Sequence, residues 1–101
     1  PVEVHDVQAI VLSSDLSVVG TFECSDARLN QLYHNVFWSL RSNFTDTPTD
    51  CPTRERSGWT GDIQVFSSTA TTYVDAQAYL RRYLRNLAIE QLPDGTIPPF
   101  I

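Results

Sequence analysis

The sequence predicts a mainly α-helical chain of about three helices preceded by a short β hairpin. Three observations lead there. Apolar residues recur at three and four positions in two long windows, at Leu29, Leu32, Tyr33, Val36, Phe37 and Leu40 and at Ala76, Tyr79, Leu80, Tyr83, Leu84 and Leu87, which is the spacing of one buried helix face. Proline and glycine are absent from both windows and fall before, between and after them, where chain breaks belong. Near the N-terminus the pattern changes to alternation, Val2 and Val4 against Glu3 and His5, the period of a strand.

Taken in order, residues 7–12 read as a strand, Ser13-Ser14-Asp15 as a turn and residues 16–22 as a second short strand. His5 is then an exposed strand residue. Ser25 is expected to cap the first helix, its hydroxyl accepting a backbone N–H, with Asp26 favourable at the positive helix end. This helix should run from Asp26 to about Asn43, leaving His34 and Trp38 off the centre of the buried stripe. Thr47-Pro48-Thr49 follows as an extended segment, because a residue before proline avoids the helical region.

A second helix is expected from near Asp62 to about Tyr73. Residues 67–72 are serine, threonine and alanine, and the β-branched and hydroxylic ones are poor helix formers. Burial must hold this helix. Asp75 should cap a third helix reaching about Gln91, with Arg81, Arg82 and Arg85 as a solvated face whose stems cover apolar neighbours. Leu92-Pro93-Asp94-Gly95-Thr96 has the residues of a tight turn. Beyond it, Pro98 and Pro99 exclude a central strand from the extended end.

Composition narrows the classes of function. The 101 residues carry a net charge of −5, with seven arginines and no lysine, a balance that argues against nucleic acid or an anionic membrane as partner. No apolar run approaches the roughly 20 residues of a membrane span, and the opening Pro-Val-Glu-Val-His lacks the pattern of a signal peptide. Cys24 and Cys51 match no zinc spacing and read as free, mostly buried thiols.

The chemistry concentrates between Asp50 and Asp62, where Asp-Cys-Pro-Thr-Arg-Glu-Arg-Ser-Gly-Trp-Thr-Gly-Asp holds three carboxylates, two arginines and an indole. Pro52, Gly58 and Gly61 make this an irregular loop. If residues 54–56 run extended, Glu55 faces a cleft alone while Arg54 and Arg56 point the other way and clamp Asp50, Asp62 or a carbonyl. A calcium loop does not fit. Counted from Asp50, positions three, five, six and twelve are Pro52, Arg54, Glu55 and Gly61, where an EF-hand needs oxygen ligands, glycine at six and glutamate at twelve. No metal is expected.

That loop resembles the signature of the α-L-rhamnosidases of glycoside hydrolase family 78, inverting enzymes built on an (α/α)6 barrel. The resemblance continues upstream through Gly20, Phe22, Ser25-Asp26, Leu29-Asn30 and Leu32, and downstream through Gln64-Val65-Phe66 and Gln91-Leu92-Pro93-Asp94-Gly95. Ser57 departs from it, standing where a larger apolar residue is expected, as does Ser67-Ser68 where Ala-Pro is common. The resemblance implies that Glu55 is the general acid, that Asp50 and Asp62 bind sugar hydroxyls and that Trp59 packs beside the sugar, with Arg54 and Arg56 shaping the loop.

A twelve-helix barrel of helices averaging about 11 residues needs several times this length. Residues 1–24 are then expected to be a β segment or linker from a preceding β-sandwich domain, and residues 25–101 the incomplete N-terminal part of the barrel. The implied partner is a carbohydrate, an α-L-rhamnoside, with no cofactor, and the catalytic base lies outside these residues. A related (α/α)6 glycosidase acting on another sugar is the alternative. For the isolated piece, the alternative is a non-catalytic helical module, inactive and self-associating through apolar faces.

Overall fold

The computed structural model describes residues 1–101 and contains three helices, α1 (Ala27–Asn43), α2 (Thr60–Tyr73) and α3 (Gln77–Glu90). Asp26, one residue after the serine expected to do so, caps α1: its backbone is extended and its carboxylate accepts the Arg28 N–H at 2.9 Å. The Arg28 guanidinium also donates to Asp26, at 2.8 Å. Just upstream, the Asn30 amide clasps the main chain of Cys24, accepting from its N–H at 2.9 Å and donating to its carbonyl at 2.8 Å. The entry of the chain into α1 is thereby fixed.

Helix α2 begins at Thr60, two residues before the expected start. The Thr60 N–H donates to the Pro99 carbonyl at 2.9 Å, and the Thr60 hydroxyl sits within 3.2 Å of the Pro98 and Pro99 carbonyls. A partner remote in sequence therefore sets this boundary. Within α2, hydroxyls bond back to carbonyls three residues earlier, Thr71 to Ser68 and Thr72 to Thr69, which satisfies polar groups that otherwise compete with the helix. Burial of Ile63, Ala70 and Tyr73 then holds a sequence of weak helix formers. Before α3, the Asp75 carboxylate accepts the Gln77 N–H at 3.2 Å, as a capping side chain should, while buried Ala76 forms the boundary.

All three helices meet in one core of Leu40, Phe44, Ile63, Ala70, Tyr73, Val74, Ala76, Tyr79 and Tyr83. Tyr33 stacks on Tyr73 with ring centres 4.6 Å apart, and Phe44 on Tyr79 at 4.8 Å. These offset pairs join α1 to the ends of α2 and α3.

The N-terminal hairpin is not formed. Residues 1–17 carry no strand, and Val18 instead bridges antiparallel to Val74. The Val19 and Gly20 N–H groups both donate to the Tyr73 carbonyl, at 2.9 and 3.3 Å. Gly20 is required there, since a Cβ would lie 1.7 Å from the Thr72 carbonyl oxygen. The alternation at Val2 and Val4 implies one covered face, yet both are largely exposed, and a two-stranded ribbon without a covering layer is marginal.

At the other end, Gly95 takes a positive φ of 87° in the expected turn, closed by its N–H to the Leu92 carbonyl at 2.8 Å. The last residues run antiparallel to the end of the Asp50–Asp62 loop, with Trp59 bridging Phe100 and the Ile101 N–H donating to the Gly58 carbonyl at 3.1 Å. Gly58 is buried beneath this segment, where a Cβ would lie 2.5 Å from the Ile101 carbonyl oxygen. Both cysteines are free thiols, half-buried rather than fully buried. No helix is long and apolar enough to cross a membrane.

Candidate active site

The Asp50–Asp62 loop joins α1 to α2 and is closed upon itself by Asp50 and Ser57. The Asp50 N–H donates to the Ser57 carbonyl at 3.0 Å, and the Ser57 N–H returns a bond to the Asp50 carboxylate at 3.1 Å. Residues 51–56 form the protruding bend. Arg56 turns it with φ of 52°, a left-handed conformation uncommon outside glycine.

This bend removes the alternation expected for residues 54–56. Glu55 does not face outward alone: Arg54 Nε lies 2.5 Å from Glu55 Oε1, and the Cys51 thiol donates to Glu55 Oε2 at 3.2 Å. Arg54 first, and then the Cys51 hydrogen bond, hold the Glu55 carboxyl below the usual carboxylate range, outweighing desolvation and the Asp50 charge, which push it up. In this conformation the glutamate is poised as a carboxylate. Arg56 pairs with no carboxylate, so neither arginine clamps an aspartate. Arg56 shapes the loop through its backbone instead.

Asp50 and Asp62 are brought together. They line one cleft of about 220 Å³, walled also by Asn43, Thr49, Ile63 and Phe66. Desolvation pushes the Asp50 carboxyl up, but hydrogen bonds from Ser57 and Cys51 outweigh it and leave the group below the ordinary range. Asp62 sits exposed in the first turn of α2. Glu55 and Trp59 do not line this cleft. Trp59 is 39% exposed and rests edge-on against Phe100, with ring centres 5.4 Å apart. Part of its surface is therefore spent on the C-terminal segment.

Three residues escaped the sequence reading. Asn43 and Thr49 form a polar wall, with the Thr49 hydroxyl 2.9 Å from the Asn43 amide oxygen. Asn43 could have been suspected as a polar residue at a helix end facing the loop. Cys51 adjoins Glu55 only because the loop folds back, and its donor atom, one from Asp50 and one from Glu55 all lie within 4.8 Å of one another. That cluster is internally paired, by Arg54 on Glu55 and the thiol between, so its donors are already engaged.

The helices and the loop between α1 and α2 fall within the six-hairpin glycosidases, as the match to known proteins shows. Residues 17–101 match the bacterial alpha-L-rhamnosidase six-hairpin glycosidase domain, and the chain belongs to that family. An alpha-L-rhamnosidase of Formosa agariphila is 42% identical over 93 residues, covering 91% of this chain and 10% of the relative, and one of Alteromonas sp. is 38% identical over 96 residues, covering 94% and 10%. The Streptomyces avermitilis alpha-L-rhamnosidase complexed with L-rhamnose superposes with a TM-score of 0.85 at 37% identity, over 87% of this chain and 9% of that one. The Dictyoglumus thermophilum alpha-L-rhamnosidase gives 0.85 at 33% identity, over 88% and 10%. The three helices are thus a segment of the (α/α)6, six-hairpin fold, and the chain spans about a tenth of the length of these relatives.

Proposed function

We propose that this segment contributes the general acid and part of the sugar site to an inverting α-L-rhamnosidase. The bond between the anomeric carbon and the leaving oxygen breaks with its electron pair on oxygen, which takes the proton of Glu55. Water forms the new bond from the opposite face and loses its proton to a base outside these residues. Asp50 and Asp62 accept hydrogen bonds from sugar hydroxyls, and the exposed part of Trp59 offers an apolar surface to the methyl group of a 6-deoxyhexose.

The observation that carries this reading is the closed loop, which brings Glu55 within 4.8 Å of Asp50, a carboxylate that lines the cleft together with Asp62. Geometry also bears on the base. Carboxylate oxygens of Asp50 and Glu55 come within 4.8 Å, closer than the roughly 6.5–9.5 Å that an inverting pair needs to seat a water. Asp50 therefore suits sugar binding better than base catalysis. The isolated 101 residues are inactive, for want of that base.

The test is hydrolysis of aryl and alkyl α-L-rhamnosides by the full-length protein carrying this segment, with the anomer of the first product followed by NMR. Glu55→Gln should lower kcat roughly 10²- to 10⁴-fold on the poor leaving group and less on an activated aryl one. Equal losses on both substrates would remove Glu55 from the acid role. Retention of configuration would overturn the inverting mechanism.

A further inference from the structure

The two oxygens of Glu55 are held by partners of different exposure. Arg54 reaches Oε1 with a side chain that is 84% exposed, and a solvated ion pair of this kind is weak and easily exchanged. Cys51 reaches Oε2 from a half-buried position directly beside Asp50, at the point where the Asp50–Ser57 bonds close the loop. One partner can leave with little cost while the other is anchored.

We propose that Cys51 is a positioning residue for the reaction, its thiol fixing Glu55 Oε2 so that Oε1, once Arg54 swings away, carries the proton to the leaving oxygen. This rests on the reading of Glu55 as the general acid. The S–H group donates to the carboxylate that remains after transfer, so it strengthens the acid as charge develops on Glu55. It also orients the carboxyl, because a carboxylate held at one oxygen can present only the other.

The groups that face Glu55 are Arg54, Cys51 and Asp50, all from the same loop. Arg54 and Cys51 favour its charged form, and Asp50 opposes it. The sign of the expected effect follows. A general acid works while protonated, so the rate falls as pH rises through its pKa. Removing the thiol donor raises that pKa and moves the fall to higher pH.

The experiment is the pH profile of kcat/KM for an aryl α-L-rhamnoside, measured on the full-length protein with Cys51→Ala, Cys51→Val, Cys51→Ser and Glu55→Gln. Alanine and valine remove the donor in two sizes, which separates loss of the hydrogen bond from a packing defect. Both should shift the basic limb to higher pH, and serine, which keeps a donor, should bring it back toward the wild-type position. A basic limb unmoved in both alanine and valine variants, with Glu55→Gln strongly impaired, would overturn the role of Cys51 and leave the acid assignment intact. Undiminished activity of Glu55→Gln would overturn the assignment on which it rests.

Discussion

At Glu55 three neighbours act on one carboxyl group: Arg54 and Cys51 favour its charge and Asp50 opposes it. The role of proton donor proposed for Glu55 needs the opposite environment at neutral pH, which requires Arg54 to be displaced and water excluded. Asp50 stands differently, because its carboxylate already serves the backbone by accepting the Ser57 N–H. Asp50→Asn should therefore disturb loop and sugar together, raising KM and lowering kcat/KM by roughly one to two orders of magnitude. Asp62 makes no such internal bond, and Asp62→Asn should act mainly on KM. Steady-state kinetics of the two variants in the full-length protein checks this; unchanged constants for both would place neither at the sugar.

Among the elements, the segment at residues 18–20 and the end of α2 depend on each other. Two N–H groups converge on the Tyr73 carbonyl, the Tyr33 hydroxyl donates to the Gly20 carbonyl at 2.6 Å, and only hydrogen occupies the space beside Thr72. Gly20→Ala must push residues 18–20 away from the helix end, and losing two hydrogen bonds at about 1 kcal/mol each should cost about 2 kcal/mol. Denaturant unfolding of the full-length protein would register it, and wild-type stability would show that the clash relaxes freely. The hairpin expected from alternation failed in this region for a related reason. Alternation reports that one face of an extended segment seeks cover, not which element provides it. For Val18 the partner is Val74, 56 residues on, beyond what a local pattern can express.

For the molecule as a whole, the radius of gyration is 16.9 Å, above the roughly 13 Å of a compact chain of 100 residues. Large apolar side chains remain outside, with Val65 80%, Leu84 59% and Ile89 78% exposed. Such faces need cover in water. The isolated 101 residues should therefore self-associate, and sedimentation should show a mass that rises with concentration. Val65→Glu combined with Leu84→Glu should weaken association at least tenfold, each charge being costly to bury unpaired. A wild-type segment that stays monomeric at high concentration would refute this.

The three helices, the turn before the C-terminus and the loop that gathers the carboxylates can all be read from the amino-acid order. Each follows from local rules: the period of apolar residues, capping side chains, and proline and glycine where the chain must bend. Tertiary structure alone decided where α2 begins, because Thr60 answers to Pro98 and Pro99 across 38 and 39 positions. It also decided the surroundings of Glu55. A left-handed backbone at Arg56 and the bonds between Asp50 and Ser57 fold the loop back, so that Arg54 and Cys51 meet a glutamate that an extended chain would have left alone.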